Sequence, residues 1–527
     1  MVARACPSIC CASMRSTTDS LEDSVAAPSG VWPQSPGRNV QLAALAAVAI
    51  GAFALRIRPL LAVDRFGVLG YDELVYFSGA RAIGLGHLPY RDFAFLHPPF
   101  ILEILVPFAW FGRVGLTAAK VVWALLGAAS ASMILRLLGP RAGFVGATVG
   151  AACYATWRPS VGTTWNVLLE PVVTAASLLA LSLALSPRLS DRRSYGFLLG
   201  LALSIAAATK VTAVAPVFAI AAVVLIPRAD RRTFGWSAFG LVAGLLATFG
   251  PVVGAAPAEF AEQVFATQAD RTANADLGTA YRLAAMLWPG SAPADPSAWF
   301  AALLVVGLVA IMCASVAAQR ALGLCAVVWT VLGIALGMLA PPFYEHYGEL
   351  VAAPIALMIG ITVGAALAIP RSHWASALQV IVTGTGVAVA IAGLWFAMGD
   401  LPPRWHDSTR SIAAASALIS EGDCVVSDSP VTAFETPNLF ARTVADGAPA
   451  VDSFGAALRA GTAEPVPPSS FDSFVKRLSR CRWFAGSSSW SPSRGYPSWS
   501  SEESGWFAEH YSLVAEVRAG IELWRRN

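Results

Sequence analysis

Charge is what this sequence has least of. Of 527 residues only 13% are Asp, Glu, Lys or Arg, against about 25% in soluble proteins. Hydrophobic residues make up 56%, and the mean hydropathy is +0.61. One soluble core has no use for that much apolar sequence, whereas repeated blocks of membrane-spanning length do. The net charge of +3 is small, which argues against a nucleic-acid partner. The eight cysteines show no zinc or iron–sulfur spacing. Cys10-Cys11 has no apolar signal segment before it, so a lipid anchor there is not expected. The polar C-terminal region contains neither a nucleotide loop nor a nucleophile elbow. It does contain Cys424 and Cys481, a candidate disulfide if that region meets an oxidising compartment.

What is present is a series of apolar runs. Residues 1–39 are rich in Pro, Ser, Thr and Gly and read as a disordered cytoplasmic tail. The first span covers Val40–Leu55, extended by Leu60–Val63. Others follow near 97–112, 116–138, 142–157, 160–186, 195–209, 211–226, 234–257, 298–318, 321–340, 349–370 and 376–397. The basic clusters Pro187–Arg193 and Pro227–Arg232 belong on the cytoplasmic side. Loops 258–297 and 341–349 then lie outside, Arg320, Arg371 and His373 inside, and residues 398–527 outside. An inside N-terminus and an outside C-terminal region require an odd number of crossings, yet the runs number twelve. One short segment between 97 and 186 is therefore expected to be re-entrant, interfacial or split. The fold expected is a polytopic α-helical membrane protein of about 11–13 helices over 40–397. A small extracytoplasmic α/β domain over 398–527 follows it. In that domain Gly422–Asp428 reads as a strand, 407–420 and 469–482 as helices, Ser487–Ser504 as a flexible loop and Val514–Trp524 as a terminal strand.

Chemistry concentrates in the polar stretch after the first span. Asp72 and Glu73 are adjacent, and Arg81, His87, Arg91 and Asp92 follow before His97-Pro98-Pro99. A carboxylate here suits a general base that takes the proton of an incoming hydroxyl or amine. Asp72 is the candidate base, and Glu73 the neighbour that holds a cation or orients the acceptor. The two prolines restrict the start of the next helix and leave His97 just ahead of it, as a phosphate donor, a partner for Asp72 or a cap. Lys210 lies between two apolar runs, where an ammonium needs a lipid or pyrophosphate headgroup or must snorkel. Glu170 is the only acid between Glu103 and Asp191, and with Asn166 it suggests a polar patch facing a cavity. The cluster Pro341–Tyr347 encloses Glu345 and His346 in aromatics, which fits either an interface belt or a pocket for a phosphorylated sugar.

Taken together, Tyr71-Asp72-Glu73, Tyr76, Ala80-Arg81, Gly86, Pro89–Phe93 and His97-Pro98-Pro99 resemble the first outer loop of the GT-C membrane glycosyltransferases. These are the polyprenyl-phosphate-sugar-dependent enzymes of the protein O-mannosyltransferase and aminoarabinose lipid A transferase type. Tyr344–Tyr347 is similar to a late-loop motif of bacterial members, and the resemblance spans about 40–397. It implies a polyprenyl-phosphate sugar donor and transfer on the non-cytoplasmic face, usually with inversion; the Ala- and Arg-rich composition suggests a bacterial chain, for which the membrane is the plasma membrane. The acceptor would be a cell-envelope glycan, lipid or protein. Carried over, Asp72 is the catalytic base beside Glu73, and Lys210 and His346 are phosphate contacts; Arg91, His97, Tyr347 and Glu170 complete the candidate substrate or phosphate contacts on the reading of the residues themselves. A divalent cation is left open, with Glu73 its candidate ligand. A second acid that several members carry has no obvious counterpart near Arg158–Thr164, so that role is vacant or falls to Glu170. A polytopic transporter or lipid flippase is the rival reading, yet no internal duplication of transporter type is present. The other rival is an inactive cell-envelope scaffold.

Overall fold

The computed structural model describes residues 37–62, 70–270, 277–340, 342–370, 372–399, 418–419, 425–427, 479, 482–486, 501–518 and 521–527. The tail 1–36 and the candidate pair Cys424 and Cys481 lie outside these residues. The expected helices at 407–420 and 469–482 do too, apart from 418–419, 479 and 482.

Among the described residues, seven helices are long and apolar enough to cross a membrane. They are Arg38–Leu61, Gly112–Thr156, Arg231–Ala255, Ala298–Ala318, Arg320–Leu339, Glu345–Ala368 and His373–Gly399. An eighth span exists if the bent pair Arg158–Trp165 and Glu170–Ala184 is counted as one. Shorter apolar helices cover Phe100–Ala109, Arg193–Thr209 and Val211–Leu225. The protein is thus the expected polytopic helical bundle, and its irregularities explain the awkward helix count. Gly112–Thr156 is 45 residues long, or about 68 Å at 1.5 Å per residue, twice a bilayer's hydrocarbon core. It breaks at Gly143, whose φ of 67° is open to glycine, so its two arms correspond to the runs 116–138 and 142–157. The run 160–186 is not one helix. The chain leaves Trp165, becomes extended at Asn166 and re-enters a helix at Glu170, turned by 117°. The run 160–186 is therefore two helices joined by a bend.

The core is built on close backbone approach. Gly146 and Gly150 on one helix face Gly360 and Gly364 on Glu349–Ala368. A Cβ on Gly150 would sit 2.7 Å from the Ala356 carbonyl oxygen, and one on Gly360 would sit 2.8 Å from that of Gly146. Small residues four apart let two membrane helices meet where lipid supplies no hydrophobic drive. Gly150→Val is therefore expected to destabilise the bundle by about 1–3 kcal/mol through overpacking. Gly384→Val, where nothing lies within 4 Å, should be near neutral. Thermal unfolding of the two variants in detergent checks the contrast.

At the C-terminal end, among the described residues, four strands form a sheet in the order β1-β2-β4-β3, with β1 Val425–Ser427, β2 Trp483–Gly486, β3 Tyr511–Arg518 and β4 Ile521–Arg526. β1 and β2 are parallel, and the other pairs are antiparallel. Phe484, Phe507 and Tyr511 pack together with Trp506 and Trp524 as its small core. Two expectations are corrected here. Residues 514–518 and 521–524 belong to two paired antiparallel strands rather than one, because Leu513 and Ala515 pair with Trp524 and Leu523. Ser501–Ser504 opens the helix Ser501–His510 instead of ending a loop.

Candidate functional site

The polar loop after the first helix begins at Gly70, the residue before helix Tyr71–Gly84. Gly70 packs closely on Asn166, where a Cβ would sit 2.9 Å from the side-chain Oδ1. The backbone N–H of Gly70 donates to Glu73 Oε1 at 2.7 Å, the carboxylate half of a capping box that has no hydroxyl half. Lys120 Nζ donates to the same oxygen at 3.0 Å, and the Val167 N–H donates to Oε2 at 3.1 Å. Glu73 is fully buried and Lys120 nearly so. Burial pushes the Glu73 carboxyl upward, and the Lys120 ammonium opposes it. The expectation that Glu73 holds a cation or the acceptor is thereby corrected. Both its oxygens are engaged within the protein, and it ties the loop helix to Gly112–Thr156 and to the extended turn 166–169.

Successive helical residues point about 100° apart, so Asp72 leaves the helix on a different side from that anchor. Asp72 is half-buried and makes no hydrogen bond or ion pair among the described residues. It interacts electrostatically with Lys210 and His346. These two arrive from separate breaks in the helical pattern. Lys210 is an extended residue between Arg193–Thr209 and the short turn Val211–Ala213, which carries its side chain into the bundle. His346 lies in the turn Glu345–Gly348, at the head of Glu349–Ala368. The third partner, Glu170, is the first residue of helix Glu170–Ala184, placed by the bend after Trp165.

One oxygen joins them. Lys210 Nζ donates to Glu170 Oε1, and His346 Nε2 lies 3.5 Å from that same atom. Lys210 also stands 4.9 Å from the centre of the Tyr347 ring, and His346 stacks on Tyr344 with ring centres 5.3 Å apart. Glu345 braces the turn from outside, accepting from Tyr281 at 2.7 Å and pairing with Arg158 at 3.2 Å. Of the residues selected from sequence, Asp72, Glu170, Lys210, His346 and Tyr347 therefore converge.

Arg91 does not join them. Its guanidinium is exposed and forks onto Asp92 at 2.8 and 2.9 Å. With the Leu88 N–H, that fork holds the Asp92 carboxyl down to about 2. The His97 ring sits edge-on to Tyr76 and Phe95 at 6.0 and 5.9 Å, while its carbonyl accepts from the Tyr90 hydroxyl at 2.7 Å. The cation left open by the resemblance finds no cage. Among the described residues no three His, Cys, Asp or Glu side chains are placed so that they could hold a metal ion, and the Glu73 and Glu170 carboxylates already hold ammonium groups.

Sequence reasoning missed Lys120, although a lone ammonium inside an apolar run is itself a signal. It also missed a buried network beside the site. Arg56 donates to the Ala155 carbonyl and to Ser160 Oγ, each at 2.8 Å, and the Tyr154 hydroxyl donates to Glu349 Oε1 at 3.0 Å.

Two kinds of similarity bear on this geometry. The family model described as Glycosyltransferase family 87 matches residues 95–342. That segment contains Lys120, Glu170 and Lys210 but neither Asp72 nor His346. The crystal structure of ArnT from Cupriavidus metallidurans bound to undecaprenyl phosphate superposes with a TM-score of 0.60 at 14% identity, covering 92% of this chain and 97% of that one. The chain has the fold of the GT-C membrane glycosyltransferases. Archaeal oligosaccharyltransferase AglB from Archaeoglobus fulgidus, in complex with an inhibitory peptide and a dolichol-phosphate, is similar at a TM-score of 0.53 and 13% identity. It covers 85% of this chain and 69% of its own. No curated protein sequence matches. The resemblance read from the first loop is borne out at the level of the GT-C class, and the family match adds the reaction class, glycosyl transfer.

Proposed function

We propose that this GT-C protein moves a monosaccharide from a polyprenyl-phosphate donor to a glycan, lipid or protein of the cell envelope. The observation that carries the reading is the convergence of Lys210 and His346 on Glu170 Oε1, with the half-buried Asp72 carboxylate facing them electrostatically and free of hydrogen bonds among the described residues. Lys210 and His346 receive the donor phosphate, with the Tyr347 ring under the ammonium. Asp72 takes the proton of the acceptor hydroxyl as its oxygen attacks the anomeric carbon. The bond to the phosphate oxygen breaks on the opposite side, and the polyprenyl phosphate leaves with the electron pair, stabilised by the Lys210 ammonium and the His346 ring N–H. One displacement inverts the anomeric centre. The lipids named with ArnT and AglB are phosphates of this kind, which supports the donor class.

The outer face of the plasma membrane is supported by the positions of the arginines. Arg193–Thr209 runs from a basic cluster to Lys210, and Arg320–Leu339 runs from Arg320 towards His346. Basic clusters favour the cytoplasm, so the site belongs at the opposite end. The same topology assigns 1–39 to a cytoplasmic tail, 40–397 to the transferase unit and 398–527 to an outer domain.

Donor class is tested with membranes containing the full chain. Label is expected to pass to acceptor from a radiolabelled polyprenyl-phosphate sugar. It should not pass from the corresponding nucleotide sugar once lipid carriers are extracted. Direct transfer from the nucleotide sugar would overturn the proposal.

A further inference from the structure

Lys210 and His346 are not waiting empty-handed. Both point at the single atom Glu170 Oε1, and Glu170 and Lys210 are 1% and 6% exposed. A buried ammonium without a counter-charge is costly, so the carboxylate holds the seat together when no ligand is bound. It also stands where a ligand oxygen must stand, because two donors from different segments converge on that one point. Any oxyanion that uses both donors has to take the place of Oε1.

We infer that Glu170 is an internal stand-in for the donor phosphate, which it exchanges with on binding and displaces on release. The inference rests on the phosphate-seat reading above. Entry of the phosphate transfers Lys210 and His346 from carboxylate to phosphate oxygens, with no covalent bond made or broken. Glu170 remains ionised and turns aside. At the head of helix Glu170–Ala184 it keeps its own backbone N–H as a donor, whereas Pro171 has none and those of Val172 and Val173 go to the Leu169 carbonyl. The return stroke matters more. A donor phosphodiester carries one negative charge, whereas the spent polyprenyl monoester carries about −1.5 to −2 near neutral pH. The product would therefore hold the seat more tightly than the donor did. A carboxylate ready to reclaim both donors offsets that gain and frees the site for another turnover.

The test is binding of undecaprenyl phosphate to the full chain in nanodiscs, read as a dissociation constant and as a ligand-induced shift in unfolding temperature. Wild type should bind, and Lys210→Met should not. Glu170→Gln, which removes the competing charge, should bind about tenfold more tightly. It should also turn over more slowly, with slowing confined to turnovers after the first. Glu170→Asp, with a shorter carboxylate and the ion pair retained, should shift affinity in the same direction if Glu170→Gln fails to fold. Equal binding by wild type and Lys210→Met would remove the phosphate seat itself. Loss of binding in Lys210→Met together with unchanged or weaker binding in the Glu170 variants would leave the seat standing and overturn the stand-in.

Discussion

Asp72→Asn should reduce sugar transfer by about 10²- to 10⁴-fold while leaving the protein folded and able to bind its lipid donor. The structure separates these effects. Asp72 makes no hydrogen bond or ion pair among the described residues, so the amide removes no contact that holds the loop. The amide matches the carboxylate in shape but does not accept the acceptor's proton at neutral pH. Initial rates at saturating donor, with the unfolding temperature and undecaprenyl phosphate binding measured alongside, check the prediction. A rate within tenfold of wild type would move the base elsewhere. A parallel loss of binding would give Asp72 a role in the seat rather than in proton transfer.

Lys120→Met should be the most damaging single change to stability in the loop's surroundings. It leaves the Glu73 carboxylate fully buried with only two backbone N–H groups, against an ordinary cost of about 3–5 kcal/mol for breaking a buried pair. Glu73→Gln should cost a similar amount from the other side, because Lys120 then carries the unpaired charge. The double variant Glu73→Gln/Lys120→Met should recover much of either loss, since neither charge remains to be desolvated. A thermal-unfolding cycle over the four proteins measures this. Strict additivity would show that the two side chains do not act as a pair. Adjacent acids thus carry different burdens. Glu73 locates the loop, and Asp72 is left available to work.

The membrane class, most spans and the convergent residues were legible because bilayer burial and ionisation leave large compositional marks. Asp72, Glu170, Lys210 and His346 stand out as charges or donors in apolar surroundings. Their meeting point was not legible, since it depends on three interruptions of helix: the bend at 165–170, the extended Lys210 and the turn 345–348. Periodicity sees the runs but not the angle between them, so 160–186 read as one helix. Glu73 was misjudged because its partner lies 47 residues away on another helix. Only three lysines occur, Lys120, Lys210 and Lys476, and two of them are in buried ion pairs. That scarcity was the available clue to Lys120. Arg91 misled in the other direction, since a neighbouring carboxylate already satisfies its fork.

The central claim is a single displacement driven by one carboxylate base. It is tested most directly by the anomeric configuration of the transferred sugar, compared by NMR with that of the polyprenyl-phosphate donor. Inversion is the predicted result. Net retention would require a second displacement and a nucleophile on the protein, and would contradict Asp72 acting as a base alone.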